Sequence, residues 1–316
     1  MHDVTAFGEL LIDFSTVSVD EGGYPTMAAH PGGAPCNFLA ALAKYGKDTV
    51  FMGKVGGDAF GGLLRESLEQ AGIGTQGLVS DGSVFTTLAF VTLDSTGDRS
   101  FSFARKPGAD TCFRPEELDL SFIDESRVFH FGTLSLTDEP VRSATRRAVA
   151  YAREKGKLIS FDPNLRKPLW DSMERAREEI LWGLGQADVV KISDEEVDFL
   201  WGCSPEEGAD RLLEEFPIRL AMVTLGARGA LLKNRTACCT VTPPGVKPVD
   251  TTGAGDIFGG SAMARLLELD RSPELLNAEE LKWVGQYAST AASLSTTRYG
   301  GLTSVPDRDE VLGYLE

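Results

Sequence analysis

Short uninterrupted apolar runs alternate along this chain with longer stretches in which apolar positions recur at helical spacing. The runs at 4–11, 49–55, 128–131, 157–162, 188–192 and 220–225 predict buried strands, and 229–233 predicts another. Helices are predicted over 36–45, 60–71, 139–154, 171–184, 194–200, 256–267 and 281–294. Strands separated by helices imply βαβ units, hence an α/β fold with a mostly parallel sheet flanked by helices. Two segments break this rhythm. Residues 14–30 are polar and punctuated by glycine, whereas 85–94 and 99–105 are β-rich and joined by Ser95-Thr96-Gly97-Asp98, a hairpin turn. We read 13–30 and 85–110 as a small, discontinuous β-sheet lid on a core made of 1–12, 31–84 and 111–316. An amphipathic, exposed lid face invites pairing with a second copy, so a homodimer through the lids is expected.

The densest local chemistry is Asp250-Thr251-Thr252-Gly253-Ala254-Gly255-Asp256, a glycine-rich turn between two carboxylates that runs into a helix of small and apolar residues. Unpaired N–H groups at such a helix N-terminus, with the helix dipole behind them, form an anion site. Asp256, at its mouth, is placed to take the proton of an attacking hydroxyl, which points to phosphoryl transfer to an alcohol. An ordinary loop capped by aspartate has the same local pattern. Earlier, Pro31-Gly32-Gly33-Ala34-Pro35-Cys36-Asn37 is constrained: its glycines permit close backbone approach or positive φ, and its prolines fix φ. A rigid connector would look similar, but the Asn37 amide both donates and accepts, as sugar recognition requires. Asp13 follows the first strand, where open α/β sheets bind ligands; a turn aspartate is its other reading. No Gly-Lys pair is followed by Ser or Thr, so the Walker A pattern is absent. Gly72-Ile73-Gly74-Thr75-Gln76-Gly77 spells the dinucleotide fingerprint, but it follows a helix and reads as a helix-ending turn.

With 316 residues, 42% of them hydrophobic and 25% charged, the chain can bury one large core. Its formal charge of −16 argues against nucleic acid or an anionic membrane as a partner. Nucleotide phosphates would then have to be drawn by local N–H groups, Mg²⁺ and a few placed Arg or Lys side chains. The five cysteines form no CxxC pair and only three histidines are present, which argues against a zinc site or a disulfide framework. No export signal is visible and no apolar run approaches the ~20 residues of a membrane span, so a cytoplasmic location is expected.

Three stretches occur in order: Gly32-Gly33-Ala34-Pro35-Cys36-Asn37, Gly53-Lys54-Val55-Gly56-Gly57-Asp58-Ala59-Phe60-Gly61 and 250–256. With matches running from Gly8-Glu9-Leu10-Leu11-Ile12-Asp13 to Ser304-Val305-Pro306, the chain resembles the ribokinase-like (PfkB) carbohydrate kinase family, most of all its fructokinases. The resemblance implies a nucleotide-binding core with a ribokinase-like fold, and ATP-dependent phosphorylation of D-fructose to fructose 6-phosphate. Asp256 would be the catalytic base, and the N–H groups of Gly253, Ala254 and Gly255 the anion hole. An aspartate with a pKa of roughly 4 is already ionised at neutral pH.

By the same resemblance, Asp13, Gly33 and Asn37 match residues that hold sugar hydroxyls. Phe103, Arg105 and Asp110 match the stretch where the lid closes on the sugar. Arg166, in Asp162-Pro163-Asn164-Leu165-Arg166, would meet the transferring phosphate, although a surface arginine is its other reading. Lys191, Ser193, Thr224, Gly226 and Gly229 match the nucleotide side. The family's NxxE pattern stands here as Ser193-Asp194-Glu195-Glu196, which keeps Glu196, tied indirectly to Mg²⁺, but replaces the amide. A monovalent cation such as K⁺ would be held by backbone carbonyls at Asp250, Thr252, Ser295, Arg298 and Gly300, with Ser304. A kinase for 2-keto-3-deoxygluconate, ribose or a nucleoside fits the same family. A non-catalytic sugar sensor is the reading from another class, and the intact Asp256 argues against it.

Overall fold

The computed structural model describes residues 1–93 and 99–315; Asp94 and the expected hairpin turn Ser95-Thr96-Gly97-Asp98 lie outside the described residues. The strands are β1 (His2–Phe7), β2 (Leu11–Val19), β3 (Pro25–Gly32), β4 (Thr49–Gly56), β5 (Gly74–Asp81), β6 (Leu88–Leu93) and β7 (Arg99–Ala104). They continue as β8 (Ser126–Gly132), β9 (Leu158–Asp162), β10 (Val189–Ser193), β11 (Leu220–Thr224), β12 (Ala230–Lys233) and β13 (Cys238–Val241). The helices are α1 (Ala34–Lys44), α2 (Ala59–Gln70), α3 (Ser121–Asp124), α4 (Val141–Glu154) and α5 (Met173–Leu184). They continue as α6 (Asp194–Trp201), α7 (Pro205–Glu215), α8 (Ala254–Leu269), α9 (Ala278–Ser295) and α10 (Arg308–Gly313).

A nine-stranded sheet runs in the order β13-β12-β11-β10-β9-β8-β1-β4-β5. Its neighbours from β11 to β5 are parallel, and β12 and β13 are added antiparallel. Helices α1, α8 and α9 cover one face through Leu39, Ile257, Met263 and Ala288. On the other face, α4, α5, α6 and α7 place Val149, Ile180, Val197 and Leu212 against Phe129, Phe131 and Ile159. All eight positions of β4 are buried, which is why it reads as a continuous apolar run instead of an alternation. Among the described residues, no helix is long and apolar enough to cross a membrane.

The second sheet has four strands in the order β3-β2-β6-β7, with β2 and β6 parallel and the outer pairs antiparallel. The first apolar run therefore does not form one strand. β1 stops at Phe7, and Gly8 then passes so close to Pro35 that a Cβ there would lie 2.7 Å from Pro35 Cγ. The chain restarts at Leu11 in the smaller sheet. Hydropathy does not register the break, because Leu10, Leu11 and Ile12 are all buried across it. Gly72, at φ 75, does end α2 as a turn, but the remainder of that glycine pattern opens β5. β5 and the edge strand β13 escape the apolar pattern because few of their positions are buried.

Candidate active site

Asp256 sits in the first turn of α8, and no side chain caps that helix. The preceding Gly253 is left-handed at φ 75; a Cβ on it would lie 2.9 Å from Gly301 Cα and 3.0 Å from Asn37 Nδ2. Only glycine lets the turn close this tightly on Asn37. Asn37 Nδ2 donates to Asp256 Oδ2 at 2.9 Å, and Asn164 Nδ2 approaches Asp256 Oδ1 at 3.4 Å. Asn164 has φ 42, a backbone state that asparagine tolerates better than most residues. Its Asp-Pro-Asn-Leu-Arg context marked it in the sequence, but nothing local tied it to Asp256.

Burial pushes the Asp256 pKa up, against the pull of Lys191, the Asn37 hydrogen bond and Arg166, and Glu196 adds to the rise. The ordinary aspartate value expected from the sequence is thus corrected upward, since residue identity alone carries no desolvation. Lys191 Nζ binds Asp162 at 2.9 and 3.1 Å. It also lies over the first turn of α8, 3.1 Å from where a Cβ on Gly255 would stand. Desolvation works against the Lys191 charge, but Asp162, Glu196 and Asp256 hold its pKa above the ordinary lysine value. Burial lifts Asp162 to about 6 despite this lysine.

In the smaller sheet, Asp13 lies on β2 in register with His30 and Ala89, and Ala89 is in register with Phe103. Phe103 therefore shares the sheet face of Asp13. Desolvation raises the Asp13 pKa to about 7, opposed by Arg166 and assisted by Asp256 and Asp250. Gly32 makes room for that carboxyl, since a Cβ on it would lie 2.0 Å from Asp13 Oδ2. Gly33, at φ 126, would bring a Cβ within 2.5 Å of the Glu9 carbonyl. Glu9 itself, given no role in the sequence reading, is buried and accepts from the Ala34 N–H at 2.9 Å, pinning the start of α1. Arg105 and Asp110 are bound to each other: Arg105 Nε donates to Asp110 Oδ2 at 2.8 Å. Arg105 also donates to Thr137 Oγ1 at 2.9 Å and to the Leu134 carbonyl at 2.8 Å. This pair anchors the end of the small sheet to the core.

A cavity of about 560 Å³ opens at the C-terminal ends of β10 and β11, where α/β sheets bind ligands. Arg166, Lys191, Ser193, Thr224, Gly226 and Gly229 all line it, together with Gly253, Ala254, Gly255 and Asp256. Gly226 and Gly229 have positive φ, and a Cβ on Gly229 would lie 1.8 Å from the Val241 carbonyl. Ser193 caps α6 by accepting from the Glu196 N–H at 3.2 Å. Glu196 returns the bond from Ser193 N at 2.8 Å and also accepts from Leu165 N at 2.7 Å. Ser193 thus holds the acid in place without the family's amide. Both Glu196 oxygens are occupied by main-chain donors, and among the described residues no group of three or more His, Cys, Asp or Glu could hold a metal ion. That arrangement fits Mg²⁺ carried on nucleotide phosphates and reached through water, as this ion prefers.

Of the positions expected around a monovalent cation, Asp250, Thr252 and Gly300 are joined directly. Asp250 Oδ1 accepts from Thr252 N at 3.0 Å and from its hydroxyl at 2.7 Å, while Asp250 Oδ2 accepts from Gly300 N at 3.0 Å. The Ser295 carbonyl accepts from Arg298 N at 3.1 Å, the Ser304 hydroxyl donates to the Gly301 carbonyl at 2.9 Å, and the Arg298 guanidinium pairs with Glu310. The Asp250–Gly300 bond, with those from Val249 N and Asp250 N to the Thr296 carbonyl at 2.7 and 3.0 Å, fastens the loop ahead of α8 to the segment after α9.

The profile of the pfkB family carbohydrate kinases matches residues 1–308. The chain is 41% identical over 316 residues to the probable fructokinase-4 of Arabidopsis thaliana, covering 99% of this chain and 96% of that one. A crystal structure of fructokinase with bound ATP from Xylella fastidiosa superposes with a TM-score of 0.91 at 32% identity, covering 100% and 98% of the two chains. A fructokinase double mutant from Vibrio cholerae O395, in a fructose-, ADP- and potassium-bound form, gives a TM-score of 0.88 at 34% identity, covering 100% and 99%.

Proposed function

The chain belongs to the pfkB family of carbohydrate kinases, and from that footing we propose that it phosphorylates D-fructose at its 6-hydroxyl with ATP. The observation that carries this reading is the Asn37-held Asp256 in the uncapped first turn of α8. In the proposed reaction the sugar O6 attacks the γ-phosphorus and its proton passes to an Asp256 oxygen. The bond from the γ-phosphorus to the β,γ-bridging oxygen breaks, so ADP and fructose 6-phosphate leave and one proton is released. The N–H groups at Gly253, Ala254 and Gly255, with Lys191 and Arg166 beside them, face the charge that grows on the transferring group. A base whose pKa burial has raised accepts that proton more readily than an ordinary aspartate, and base catalysis of this kind typically contributes ~10²–10⁴-fold.

Bound Mg²⁺ would neutralise charge on the nucleotide phosphates, with Glu196 reaching it through water. K⁺ would sit among the carbonyls of Asp250, Thr252, Ser295, Arg298 and Gly300, near Ser304, as the potassium-bound relative suggests. Asp13, Gly33, Asn37 and Phe103 would meet the sugar. The Arg105–Asp110 pair would hold the small sheet over it and limit access of water. Val17 and Val19 are exposed on that sheet at 67% and 60%, which supports pairing of two copies there; a monomer in sedimentation would remove this reading.

The decisive experiment is a coupled ADP-release assay over fructose, ribose, 2-keto-3-deoxygluconate and nucleosides, with and without K⁺. Fructose turnover well above the others is expected. Activity on ribose or ketodeoxygluconate with none on fructose would overturn the substrate, and ATP consumption with no sugar would overturn the reaction.

A further inference from the structure

A second cavity, of about 520 Å³, opens at the opposite, N-terminal end of the strands of the main sheet, where β8, β9, β10 and β11 begin. Its wall carries Arg127, Arg153, Lys157, Arg219 and Arg271 against two carboxylates, Asp188 and Asp270. In a chain with a formal charge of −16, such a gathering of cations is unexpected. Three of them face acids: Arg127 pairs with Asp270 and lies 3.7 Å from Asp3, Arg219 reaches Glu274 at 2.6 Å and Asp188 at 3.9 Å, and Arg271 pairs with Glu280. Arg153 and Lys157 donate to main-chain carbonyls, of Gln186 at 2.9 Å and Asp124 at 2.7 Å, and the Arg153 charge also acts on the Asp188 carboxyl. A carbonyl satisfies a donor but leaves its charge uncancelled, as at Lys157. Behind the cations, Met263, Leu266 and Leu267 of α8 supply an apolar wall.

Cations over an apolar wall suit a compact carbon skeleton with two or more negative charges, in a volume typical of small-molecule sites. We propose that this cavity binds a small organic polyanion, a phosphate ester or a di- or tricarboxylate, separately from the sugar and nucleotide cleft.

The test is calorimetric titration of the full chain, its cleft filled with fructose and a non-hydrolysable ATP analogue. Glycerol phosphate and malate serve as separate probes, and whichever binds names the class. Binding with a Kd of roughly 1 mM or tighter is expected for at least one. The double substitution Arg153→Ala with Lys157→Ala should weaken it at least ~10-fold, with turnover in the absence of probe unchanged. Arg271→Ala should weaken it as well, and stands as the measurement should the double variant fail to fold. No binding of either probe to the filled chain, or binding undiminished in the variants, would overturn the site.

Discussion

The amide of Asn37 on α1 donates a 2.9 Å hydrogen bond to the Asp256 carboxylate at the head of α8, joining residues 219 positions apart. The contact is possible because Gly253 and Gly301 have no side chains; a Cβ on Gly301 would lie 2.5 Å from Asn37 Oδ1. One residue assigned to the sugar therefore also orients the proposed base.

Asp256→Asn keeps the shape of this contact and removes the proton acceptor. Turnover should fall by at least ~10²-fold while the KM for fructose changes little. Near-normal kcat in steady-state assays would dismiss Asp256 as the base.

Asn37→Ala removes a donor that favours the ionised form of Asp256, so the pKa of the base should rise further. The acidic limb of the kcat/KM profile is then expected at higher pH than in the parent, along with weaker sugar binding. A limb that stays in place would mean that Asn37 does not tune the base.

Glu9 has its pKa raised by burial from 4.5 to about 7. The folded state then holds this proton more tightly than the unfolded chain, so the stability it contributes is present below about 4.5 and is lost as pH rises through about 7. Glu9→Gln keeps an acceptor for the Ala34 N–H and cannot ionise. Between about pH 5 and 8 its urea-unfolding free energy should fall by less than that of the parent, by on the order of 2–3 kcal/mol. Parallel pH dependences would refute the assignment.

Gly253→Ala places a Cβ at positive φ and within 2.9 Å of Gly301 Cα. It should cost about 1–2 kcal/mol for the left-handed backbone alone, read from denaturant unfolding. Turnover should fall at least ~10-fold as the first turn of α8 shifts. Full activity in the variant would mean that this turn does not contact the transferring group.

Local sequence was sufficient for the alternating strands and helices, for the glycine-rich head of α8 and for the constrained segment before α1. Each of these depends on neighbours within a few positions: apolar spacing, turn residues or a cap. The boundary between β1 and β2 was not legible, because the residues on either side of it are equally apolar and differ only in which sheet they join. Asn164 and Glu9 stood in the sequence without a role, since their partners, Asp256 and Ala34, are distant along the chain.

By itself the sequence determined the α/β class, the family resemblance and the acid in the glycine-rich head of α8. Tertiary structure alone decided that Asn37 grips that acid, that Arg105 and Asp110 spend their charges on each other, and that Asp13, Asp162 and Asp256 carry raised pKa values. It also decided that five cations gather at the N-terminal ends of β8 to β11. The reason is physical: desolvation and pairing depend on which groups are brought together and shut away from water, and no window along the chain contains that information.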